Sequence, residues 1–99
     1  MENCPCQRYK QTPRGQQQVK ALQNRLSRMM GQLGGIKNML EENRYCGDIL
    51  TQVAAVEKAL QSFAYEILQD HMETCVTDKI RQGDEEILQE TLGLIKKLK

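Results

Sequence analysis

Tyr45-Cys46-Gly47-Asp48-Ile49-Leu50 opens, and His71-Met72-Glu73-Thr74-Cys75 closes, one long apolar-periodic stretch. Between them Ile49, Leu50, Val53, Val56, Leu60, Phe63, Ala64, Ile67, Leu68 and Met72 recur at i, i+3, i+4 and i+7. That spacing predicts a helix with one buried face, and no Pro interrupts it. Cys46, His71 and Cys75 at its ends are soft-metal ligands. Four residues separate His71 from Cys75, which puts them on one helix face, roughly 5–6 Å apart at Cβ. Cys46 lies 25 residues before His71. At helical rise that is about 37 Å, too far to share a metal within one chain. An antiparallel second copy removes the difficulty. Cys46 of one chain then lies beside His71 and Cys75 of the other, twice, about a two-fold axis near Ala59 and Leu60. Helix length alone thus points to a homodimer with two intersubunit sites.

The 99 residues suit one small domain. Aromatics make up 4% and Trp is absent, so long helices paired with partner chains fit better than a thick single core. No apolar run is long enough for a membrane span and no signal peptide is recognisable, which makes a cytoplasmic location the expectation. In that compartment four cysteines read as metal or redox groups before disulfides. Net charge is +1, but residues 1–44 carry +5 and residues 45–99 carry −4. A basic first half suits a polyanion such as DNA, although a solvated basic helix face has the same composition.

Outward from the central stretch the chain reads as all-α, with three helices and short connections. Residues 1–15 are expected to form a flexible, polar N-terminal tail, and 16–99 the helical domain. Thr12-Pro13 is a helix-start signal. Val19, Leu22, Leu26, Met29, Met30, Leu33, Ile36 and Leu40 then keep helical spacing to about Glu42. Gly31, Gly34 and Gly35 inside that run predict a bend or the close approach of another backbone. Asn43 is the expected cap of the second helix, which runs to about Gln82. Gly83 suits its C′ position and Asp84 the cap of a third, short helix.

Two thiolates and one imidazole form a donor set that favours Cu(I), which accepts few ligands. Zn(II) wants a fourth donor, and nickel or cobalt would be better served by more His than the one present. Singly, each of these residues is equally at home as a packed side chain. Cys4-Pro5-Cys6 is a separate pair. It could add a thiolate to a bound metal, receive Cu(I) from a copper chaperone, oxidise, or simply be exposed. One His, no nucleotide loop and no catalytic constellation argue against an enzyme.

The stretches Asn24-Arg25-Leu26-Ser27-Arg28-Met29-Met30-Gly31-Gln32-Leu33-Gly34-Gly35-Ile36, Met39-Leu40-Glu41, Arg44 to Leu50 and His71 to Cys75 together resemble the copper-sensing repressors of the CsoR family. The resemblance covers nearly everything beyond residue 16. It implies a dimer built as an antiparallel four-helix bundle, paired again into a tetramer, that holds operator DNA when metal-free and leaves it on binding Cu(I). It implies Cu(I) ligation by Cys46 of one protomer with His71 and Cys75 of the other. Tyr45 and Glu90 match residues that help couple metal to DNA release. Arg25 matches the principal DNA-contacting residue, with Lys20, Arg28 and Lys37 extending the patch. The chain departs from the pattern at Gly34 and at Gln61, Ser62 and Tyr65, where many relatives are basic. The expected function is a Cu(I)-responsive repressor. The alternatives are a persulfide- or redox-sensing repressor using Cys46 and Cys75, or a copper-buffering protein that binds DNA weakly.

Overall fold

A computed structural model describes residues 9–98, and Cys4 and Cys6 lie outside them. Among the described residues every regular element is helical. They are α1 (Gln16–Glu41), α2 (Cys46–Asp70), a π-helical segment (His71–Val76), α3 (Thr77–Arg81) and α4 (Glu86–Lys97). Residues 46–81 are helical throughout, so the three expected helices are present, the second carrying a π turn. None is long and apolar enough to cross a membrane.

The helix ends follow from local chemistry. α1 begins only after Gly15, without a side-chain cap. Thr12, expected to start it, donates its hydroxyl to Asp78 Oδ2 at 2.7 Å instead. The hydroxyl is turned to donate to that carboxylate and makes no cap bond to the first-turn amides. Asn43 ends the first helix rather than capping the second. It is left-handed (φ 55°), a conformation Asn tolerates better than most residues. With it the Arg44 amide reaches Met39 O at 3.0 Å and the Asn43 amide reaches Leu40 O at 3.2 Å, which closes a Schellman turn. Gly83 (φ 85°) repeats the motif, with Asp84 N to Lys79 O and Gly83 N to Ile80 O both at 2.9 Å. Asp84 Oδ1 accepts from Glu86 N at 3.1 Å in the turn that leads into α4, although the N-cap position is Glu85, which makes no side-chain cap bond. Gly83→Ala should therefore cost about 1 kcal/mol through backbone conformation alone, since nothing lies within 4 Å of the added carbon. A thermal melt that falls by a few degrees is the expected readout.

The chain forms two compact units. In Gly15–Glu66, α1 and α2 run antiparallel. Leu22 and Met29 of α1 are buried, and Val53, Val56 and Phe63 of α2 are half-buried. Arg25 of α1 pairs with Glu66 and donates to Ser62 Oγ at 2.8 Å, both on α2. The glycines of α1 do not mark a close approach within the chain. No atom lies within 4 Å of a Cβ built at Gly31, Gly34 or Gly35, and the helix continues through them. Met30, Leu33 and Leu40 on α1, and Leu50 and Leu60 on α2, are all more than half exposed. Among the described residues this apolar surface stays largely uncovered.

The other unit joins Ile67 and the residues after it to the segment leading up to Arg14. Val76 and Ile87 are its buried apolar residues, and Thr91 and Asp70 its buried polar ones. Two threonine hydroxyls accompany the π turn. Thr74 Oγ1 donates to Asp70 O at 2.8 Å, and Thr77 Oγ1 donates to Met72 O at 3.1 Å. Such side-chain donors compete for the carbonyls of the regular ladder, and π turns recur at functional sites.

Candidate metal centre

His71 opens the π segment and Cys75 is its fifth residue. Both are half-buried and line one cavity of about 410 Å³, with Tyr9, Lys10, Asp78, Lys79, Ile87 and Glu90. The π turn and α4 fix the imidazole. His71 Nε2 lies 2.9 Å from Thr91 Oγ1, and Thr91 is only 4% exposed. A ligating imidazole needs its second nitrogen held in this way. The residue that meets the ring is thus one position beyond Glu90, which lines the same cavity.

The segment before α1 covers the sulfur side. Lys10 Nζ reaches Cys75 Sγ at 3.3 Å and Asp70 Oδ2 at 3.1 Å, and it also donates to Thr74 Oγ1. Arg14 Nε lies 3.3 Å from the same Asp70 oxygen. Asp70 is buried between two cations, which anchors the segment. The sequence offers no signal for this, because Lys10 and Cys75 are 65 residues apart. It shows in neither periodicity nor spacing.

Cys46 is the first residue of α2, in the other unit, and is exposed. Tyr45 beside it is 76% exposed, and its ring covers the Gly47 backbone, where an added Cβ would fall 2.5 Å from Cε2. Among the described residues no three His, Cys, Asp or Glu side chains converge to hold a metal ion. Among the described residues one cavity is lined by one sulfur and one imidazole nitrogen, a soft pair that suits an ion of low coordination number.

On α1, Arg25 and Arg28 line a concavity of about 360 Å³ with Met29, Gln32 and Ala59. Lys20 and Lys37 are exposed on the same helix and do not line it. Glu66, which pairs with Arg25, is another neighbour that helix periodicity does not reveal.

The chain as a whole has relatives among known proteins. Residues 18–97 match the family model of the metal-sensitive transcriptional repressors. The chain is 48% identical over 75 residues to the copper-sensing transcriptional repressor CsoR of Bacillus subtilis, covering 75% of this chain and 74% of that one. Its fold is similar to the crystal structure of the copper-sensing repressor CsoR with Cu(I) from Geobacillus thermodenitrificans, with TM-score 0.84 and 37% identity over 89% of this chain and 93% of the other. It is also similar to the nickel-responsive transcriptional regulator InrS, with TM-score 0.72 and 39% identity over 89% of this chain and all of that one. Sequence and architecture agree across nearly the whole helical region, and the chain belongs to the metal-sensitive transcriptional repressor family.

Proposed function

We propose that this protein is a Cu(I)-responsive repressor, which binds operator DNA when metal-free and releases it when Cu(I) is bound. The observation that carries the choice of metal is the His71–Cys75 pair in one cavity, with no third His, Cys, Asp or Glu completing it among the described residues. Cys46 of a second copy supplies the missing thiolate in this reading. Two sulfurs and one nitrogen would give Cu(I) the soft, low-coordinate environment it prefers. The similarity to a CsoR that contains Cu(I) supports the same ion. Nickel, named for the InrS neighbour, is less well served by a chain whose only His is His71.

The uncovered residues Met30, Leu33, Leu40, Leu50 and Leu60 supply an apolar surface on which copies of the chain associate into dimers and tetramers. DNA meets the α1 side through Arg25 and Arg28, mostly at phosphates, so binding is strongly salt-dependent. Thr91 holds the imidazole, and Glu90 beside it links α4 to ligand occupancy. The protein works in the cytoplasm, where its operator is.

The test is DNA binding by fluorescence anisotropy at fixed salt, with duplex from upstream of the protein's own coding sequence, with and without Cu(I). Cu(I) should abolish binding by the native protein. His71→Ala should bind DNA equally well and ignore copper. Release by a persulfide donor but not by Cu(I) would instead establish a thiol sensor. Copper binding with no DNA affinity would establish a buffer.

A further inference from the structure

We infer that Glu66 is an internal competitor for DNA phosphate at Arg25, so that the protein's own carboxylate limits its affinity for polyanions. The inference rests on the proposal that α1 is the DNA-binding side. Arg25 is not a free cation. One terminal nitrogen, Nη1, pairs with Glu66 Oε2, and the other, Nη2, donates to Ser62 Oγ at 2.8 Å. Both partners come from α2, four residues apart, one above the other on the face that meets α1. The Arg25 side chain is 25% exposed, whereas that of Glu66 is 51% exposed. The carboxylate thus lies closer to solvent than the guanidinium it neutralises. A phosphate approaching this point meets a negative charge before it meets the positive one.

The exchange is chemically feasible. An ion pair with a half-exposed carboxylate is weak, and a guanidinium binds phosphate through the same fork of donors. Arg28 and Gln32 line the concavity next to Arg25 and offer further donors to an incoming phosphate. On binding, Arg25 turns its terminal nitrogens from Glu66 to the phosphate oxygens. Glu66 returns to solvent, and no proton or bond changes hands. The consequence is selectivity. A loosely placed polyanion cannot displace the carboxylate, whereas DNA held at several points at once can.

The experiment compares native protein, Glu66→Gln, Arg25→Ala and the double variant by fluorescence anisotropy, on the upstream duplex and on a random duplex, across a salt series. Glu66→Gln keeps an acceptor for Arg25 and removes the charge. It should tighten binding about threefold to tenfold, more so on the random duplex, and steepen the salt dependence of log K by about one unit. In the Arg25→Ala background the same change should do little, because its effect runs through Arg25. Ser62→Ala, which alters no charge, should leave the salt slope unchanged. Binding by Glu66→Gln that is unchanged or weaker, with a native thermal melt, would overturn the inference and make Glu66 a positioning residue. An equal gain in the Arg25→Ala background would overturn it as well, leaving only general repulsion. Native protein that binds neither duplex would defeat the repressor reading itself, a separate outcome.

Discussion

Co-expressed Cys46→Ser and His71→Ala chains should recover copper binding that neither variant has alone. Each variant by itself lacks one ligand at every site. In a mixed dimer, Cys46 of the His71→Ala chain meets His71 and Cys75 of the Cys46→Ser chain, and one complete site forms. Random pairing makes half the dimers mixed, so about one tight site per four chains is expected, against one per chain in the native protein. Competition with a Cu(I) chelator measures both numbers. The physical basis is the helix itself. α2 starts at Cys46 and ends at Asp70, and a helical stretch of that length spans about 37 Å. Full Cu(I) affinity in Cys46→Ser alone would remove Cys46 from the site. A mixture with no tight site would remove the intersubunit arrangement.

Substitution of Arg25 should have the larger effect on DNA. Arg25→Ala deletes the phosphate ligand that Glu66 otherwise occupies. Affinity should fall on the order of tenfold for each subunit that touches DNA, and the salt slope should become shallower by about one unit for each phosphate no longer neutralised. Arg25→Lys should recover part of this. It keeps the charge but lacks the fork that spans Glu66 and Ser62. Copper affinity should be unchanged in both variants. Electrophoretic mobility shifts over a salt series, together with the chelator competition, measure the two properties separately. DNA binding by Arg25→Ala at native strength and slope would move the interface away from α1.

How far the sequence alone can be read differs between these sites. Helix period and length are enough for α1 and for the long helical run that carries Cys46, His71 and Cys75. The Gly83 and Asp84 signals locate the turn into α4 because they are local backbone chemistry. Asn43 misleads for an equally local reason. Asn serves both as a cap and as a left-handed residue, and only the hydrogen bonds from Arg44 and Asn43 back to α1 distinguish the two uses. Thr12 misleads because its competing acceptor, Asp78, is distant in sequence.

The sequence by itself determined that the protein is helical, that Cys46, His71 and Cys75 stand at the two ends of one long helical run, and that the first half is the basic one. These follow from periodicity, spacing and charge, which are properties of neighbouring residues. Only the tertiary structure decided that His71–Val76 is a π turn, that Thr91 meets His71, that Lys10 lies against Cys75, and that Glu66 holds Arg25. Each of those is a meeting of residues 20 to 65 positions apart or a backbone geometry with no residue code of its own. Local propensity carries no information about such pairings until the chain has packed.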